Sequence, residues 1–98
     1  MANGILVNND NVVFDIVEGT SPDTLNTIQD IAPFPTGYND VNIIVLGFSI
    51  DIGDSWIRTD QDNSLILIIR KTYGIRGIVP SDSNFLSKPV KILIARKK

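Results

Sequence analysis

The chain of 98 residues contains no cysteine and no histidine. The first absence excludes a disulfide framework, a thiolate metal site and a cysteine nucleophile. The second removes the commonest general base and the commonest transition-metal ligand, which argues against a triad hydrolase or a catalytic zinc site. Aromatic residues are few, at four Phe, two Tyr and one Trp. No stretch approaches the roughly 18 apolar residues of a membrane span, and the start Met1-Ala2-Asn3-Gly4-Ile5 lacks a basic region followed by a long apolar run, so neither membrane insertion nor a signal peptide is expected. Residues 1–54 also lack Lys and Arg altogether. That first part carries eight acidic residues, whereas residues 55–98 hold nine basic and three acidic ones, giving −8 and +6 beneath a net charge of −2. One reading is that the halves interleave in one sheet system with their charges paired or dispersed. The other is complementary charge between neighbouring subunits. Nucleic acid is not an expected partner, because the basic half shows no recognition signature and Arg96-Lys97-Lys98 is a terminal cluster.

What is present has the periodicity of a β protein. Ile5–Val7 and Val12–Val17, separated by Asn8-Asn9-Asp10-Asn11, read as a hairpin. Residues 18–42 alternate little and read as a loop, in which Thr20 or Ser21 caps a short helical turn with Pro22 at its first position and Leu25, Ile28 and Ile31 inward. Strands are expected over Asn42–Ile50, Ser55–Thr59, Ser64–Lys71 and Val90–Arg96, the middle two joined as a hairpin by Asp60-Gln61-Asp62-Asn63. A chain of this length forms one domain, residues 1–98, that buries about 60–65% of its unfolded surface. The fold class predicted is all-β, a small antiparallel β-sandwich of jelly-roll-like kind.

The faces of those strands bear on assembly. Over Asn42–Ile50 the even positions Ile44, Leu46, Phe48 and Ile50 form a continuous apolar face, taken as the core, while Ile43 and Val45 begin a second one. Leu65, Leu67 and Ile69 are likewise backed by Ile66 and Ile68, and Val90, Ile92 and Ile94 by Leu93 and Ala95. A sheet with one solvated face alternates more cleanly than this. The second face is covered either by loops of the same sandwich or by symmetry mates, with Ile43, Val45, Ile66 and Ile68 as the interface candidates.

Candidate chemistry mostly resolves into turns. Asp60-Gln61-Asp62-Asn63-Ser64 begins like a calcium loop but lacks the central glycine and the closing glutamate. Asp51 and Asp54 around Gly53 are ordinary turn formers, and Gly74-Ile75-Arg76-Gly77 is neither a Walker nor a dinucleotide pattern, its glycines suiting a bend or bulge. No catalytic residue, metal or cofactor is assigned. The ligand-binding candidates are the turn aromatics Tyr38, Trp56 and Tyr73 with Asn39, Asp40 and Arg76, since an aromatic face beside polar groups stacks on a sugar ring or anchors a protein interface. Phe14, Phe34 and Phe48 are assigned to the core.

The segment Pro33-Phe34-Pro35-Thr36-Gly37-Tyr38-Asn39-Asp40-Val41-Asn42 runs straight into Ile43-Ile44-Val45-Leu46. Two prolines fix φ around one aromatic, and Gly37 offers the positive φ of a tight bend before the strand. Together with Trp56-Ile57-Arg58, Tyr73-Gly74-Ile75 and Val90–Ile94, this segment resembles the C-terminal β-module of phage tail and head fibres and related virion appendages, over roughly Leu25–Lys98. The resemblance implies a homotrimer located in the virion, made in the host cytoplasm. Its implied partners are other virion proteins and a host cell-surface glycan or protein. Unlike such modules, the chain begins at Met1 and shows no heptad, collagen-like repeat or shaft. The alternative from another class is a monomeric carbohydrate-binding module acting through Trp56 and the tyrosines.

Overall fold

A computed structural model describes residues 11–53, 56–58 and 64–98, with the backbone alone described at 56–58. The expected hairpin partner Ile5–Val7, the turns at Asp54 and Asp60–Asn63, and the side chains of Trp56 and Arg58 lie outside the described residues. The chain forms two small antiparallel sheets, as the all-β expectation requires. Strands β1 (Val12–Thr20), β7 (Pro89–Lys97), β3 (Ile44–Asp51) and β4 (Trp56–Arg58) make the larger sheet in that spatial order. Strands β2 (Gln29–Pro33), β6 (Gly74–Ile78) and β5 (Ile66–Ile68) make the smaller one.

The larger sheet is built on β7, whose alternation is the clearest in the chain. Val90, Ile92 and Ile94 are almost fully buried and point inward, while Lys91 and Leu93 are exposed. On one side β7 pairs with β1, bringing Val17 opposite Ile92, and on the other with β3, bringing Ile50 opposite Val90. The core closes with Ile31, Leu65, Ile75, Val79 and Phe85 from the rest of the chain. Each such aliphatic side chain contributes about 1.5–3 kcal/mol when fully buried, which makes this cluster the principal source of cohesion.

Several expectations fail here for identifiable reasons. The face assigned over Asn42–Ile50 is interrupted by a bulge, because Val45 opposes Ile94 but Gly47, not Leu46, opposes Leu93. An extra residue in one strand reverses the side-chain parity beyond it. Ile43 and Val45 therefore join Phe48 and Ile50 in packing against the core, and Ile44 and Leu46 face outward, about half exposed. Ile43 and Val45 are thus partly buried residues packed inward against the core, where an outward interface was expected, and Leu46 is a surface residue, contrary to its assignment as core. Phe14 is also outward, at 52% exposure.

The expected helical turn does not form. β1 continues to Thr20, and the Ser21 hydroxyl donates to Phe85 O at 2.7 Å and accepts from Lys88 N at 2.8 Å instead of capping its own segment. Leu25 and Ile28 are exposed, Asn26 turns the chain at φ 57°, and Ile31 points inward from a strand. Among the described residues the expected hairpin of Ser55–Thr59 with Ser64–Lys71 is not seen, since β4 pairs with β3 and β5 with β6, in different sheets.

Gly74 and Gly77 sit inside β6, where the sequence suggested a bend. The smaller sheet needs them there: a Cβ on Gly77 would lie 2.7 Å from Ile31 Cδ1, and one on Gly74 2.8 Å from Ala32 O. The register irregularity belongs to the partner strand, between Asp30 and Ala32.

Candidate functional site

Two surface features stand out, one at the loops beside the smaller sheet and one on the outer face of the larger. The first is built from two turns. Residues Pro35–Tyr38 form a tight turn closed by Tyr38 N donating to Pro35 O at 3.0 Å, with Gly37 at φ 91° as the sequence anticipates. The next turn is held by side chains. Asn39 Oδ1 accepts from the amides of Val41 and Asn42 at 2.8 and 2.9 Å, Asn42 Oδ1 accepts from Asn39 N at 2.8 Å, and Asn42 Nδ2 donates to Gly37 O at 2.9 Å. Such local bonds are the reason Asn and Asp populate turns. Across from it, Lys71 adopts φ 55° and donates its amide to Asp40 Oδ2 at 2.8 Å, which fastens the 69–74 turn to the 39–42 turn. Thr72 Oγ1 lies 2.8 Å from Ile69 O and 2.6 Å from Gly74 O, its single proton serving one carbonyl at a time.

At the tip of this braced turn Tyr73 is fully exposed. A cleft of about 670 Å³ lies on one side of it, bounded by Asp30, Pro33, Lys71 and Arg76, and another of about 550 Å³ on the other, bounded by Phe34, Asn39, Asp40 and Lys71. Of the six ligand-binding candidates, Tyr73, Asn39, Asp40 and Arg76 are thus gathered around one aromatic. Arg76 is engaged with Asp30, its Nε 3.1 Å from Asp30 Oδ1. Lys71, Asp30 and Phe34 also line the clefts and were not among the sequence candidates; Lys71-Thr72 directly before Tyr73 was the available signal.

Tyr38 does something else. It is buried, donates its hydroxyl proton to Asp15 Oδ2 at 2.7 Å, and lies beneath the Arg96 guanidinium, 5.3 Å from the ring centroid. Burial, followed by the bond to Asp15 and its negative charge, pushes the phenol up to about 12, with Arg96 opposing. Its ring bounds the smaller cleft, but its polar end is committed to the fold.

The second feature is apolar. On the outer face of the larger sheet, Phe14, Ala95 and Ile44 form one cross-strand row, and Ile16, Leu93 and Gly47 the next. Phe14, Ile16, Ile44, Leu46 and Leu93 are between 42% and 64% exposed. The bulge places Leu46 beside Gly47, and the missing side chain there leaves a dent of about 430 Å³ flanked by Ile16, Phe48, Lys91 and Leu93. On the smaller sheet, Ile66 is 40% exposed and Ile68 partly so. The sequence identified the existence of a second apolar face and, on β3, chose the wrong half of the residues for it.

Comparisons with protein-family models, curated proteins and solved structures find no match to the chain. The resemblance to phage appendage modules therefore stands on the sequence segments alone. Among the described residues no group of three His, Cys, Asp or Glu side chains converges as a metal site, and no helix is long and apolar enough to cross a membrane.

Proposed function

We propose that this chain is a non-enzymatic virion appendage module of a phage, assembling as a homotrimer through the outer face of β1, β7 and β3 and presenting its loops to a host surface. The observation that carries the assembly is the row of half-exposed Phe14, Ile16, Ile44, Leu46 and Leu93 on three adjacent strands. Contiguous exposed apolar patches are rare on monomers beyond a few hundred Å², and it is those larger patches that mark association sites. Isolated large side chains on a monomer are scattered singly, whereas these are neighbours in register. Their geometry also supplies shape: the dent at Gly47 accepts a knob such as Ile16 or Phe14 of another copy. One pair between the halves, Asp30 with Arg76, lies inside the subunit as the interleaved reading expects. The threefold order and the phage setting come from the sequence resemblance.

The test is the solution mass of the unmodified protein and of Leu93→Asp by light scattering at micromolar concentration. We expect a mass of three chains for the former and of one folded chain for the latter. A stable monomer for the unmodified protein removes the assembly, and a dimer removes the threefold order while keeping the face.

A further inference from the structure

We infer that the paired clefts around Tyr73 form a binding site for an uncharged pyranose, with the phenol ring as stacking platform. This rests on the host-surface part of the reading above and names the ligand class, but it does not depend on assembly through the sheet face. A tyrosine whose whole side chain is in water has no role in the core, and the turn that carries it is braced by Lys71 N donating to Asp40 Oδ2 and by Thr72 Oγ1 lying between two carbonyls of the same turn. A rigidly presented aromatic loses little conformational freedom on binding, because only its two side-chain torsions remain to be fixed. The apolar C–H face of a sugar ring is the surface that a solvated aromatic face complements.

The surrounding polar groups specify the rest. Asp40 uses Oδ2 for Lys71 N, and Asn39 uses Oδ1 for two turn amides. Among the described residues this leaves Asp40 Oδ1, Asn39 Nδ2 and the Lys71 ammonium as an acceptor and two donors beside the ring, the complement of vicinal hydroxyls. Taken together, the two clefts carry formal charges that sum to zero, Asp30 and Asp40 against Arg76 and Lys71, with Lys71 lining both. With no net charge summed over both clefts, the site lacks the one-signed charge cluster of an anion or nucleic-acid site. The clefts, at about 670 and 550 Å³, are of the size range of small-ligand pockets.

The experiment titrates the isotope-labelled full chain with the methyl glycosides of glucose, galactose, mannose and N-acetylglucosamine, and with methyl glucuronide as the charged arm, reading amide shifts. We expect at least one neutral glycoside to shift the amides of Asn39, Asp40, Lys71 and Tyr73. Tyr73→Ala should weaken that binding about tenfold and Tyr73→Phe should restore it, since the platform needs the ring and not the hydroxyl. Because the ring is fully exposed, neither change threatens the fold. No shift with any neutral glycoside, shifts only with the glucuronide, or undiminished affinity in Tyr73→Ala would overturn the inference. Repeating the titration on Leu93→Asp separates the two proposals. A monomer that binds sugar retains this site without the trimer, and a trimer that binds none retains the assembly without this site.

Discussion

Tyr38 and Asp15 come from a loop and from β1, 23 residues apart, and the phenol donates a 2.7 Å hydrogen bond to the Asp15 carboxylate. The folded protein thereby keeps this phenol neutral up to about pH 12, while the unfolded chain ionises it near 10. The contribution to stability is complete below pH 10 and is lost as the pH rises towards 12. We expect urea midpoints to fall over that window and the fall to be smaller in Tyr38→Phe. Phenolate absorbance should show a late titration step that this variant lacks. A Tyr38→Phe protein with the same alkaline profile as the parent would refute the coupling.

The bulge in β3 makes a sharp contrast between neighbours. Ile50 is fully buried, and Ile50→Ala should cost about 2–5 kcal/mol. Phe48 packs against the core from a partly buried position, and Phe48→Ala should cost about 2–3 kcal/mol, below the range for a fully buried ring. Leu46→Ala removes only outward surface and should cost under about 1 kcal/mol in a monomer, such as the Leu93→Asp background. Comparable losses at Leu46 and Ile50 in denaturant melts would show that the parity is not reversed.

Ser21 is the one buried polar residue among those described, and its hydroxyl serves both Phe85 O and Lys88 N. Ser21→Ala leaves the two backbone groups without that partner and should cost about 1–3 kcal/mol, whereas Ser81→Ala, at an exposed position, should be close to neutral. Amide exchange at Lys88 should accelerate in the first variant only.

How far the sequence could be read depends on where local pattern and long-range pairing agree. β7 was legible because Val90, Ile92 and Ile94 alternate with exposed residues over a central strand. Gly37 was legible because a positive φ between Pro35 and Tyr38 has a local signature. β2 and β6 were not, since Gln29–Pro33 and Gly74–Ile78 are poor in β-formers and rich in Gly, Pro and Asp. They are strands because each supplies the other's hydrogen bonds, and the glycines are selected by close approach of Ile31 and Ala32. On β3 nothing in the run Ile43-Ile44-Val45-Leu46 states where the extra residue falls, and that single residue decides which half is core. At the candidate site, the turn aromatics and polar residues were visible singly. Their convergence on Tyr73, and the withdrawal of Tyr38 into the fold, follow from bonds between turns distant in sequence.

Because β7 lies between β1 and β3 and is the last of the described strands in chain order, the larger sheet has no centre until it has been synthesised. Val12 must wait for Lys97, and Val45 for Ile94. On the ribosome, β1 emerges before β7, and β3 with only β4 beside it, leaving apolar edges unpaired until β7 follows. Such late, non-local closure belongs to the slow class of folding reactions, milliseconds to seconds rather than microseconds. Newly made chains then meet one another before their sheets are complete, a kinetic setting that favours contact between unfinished chains through unpaired edges.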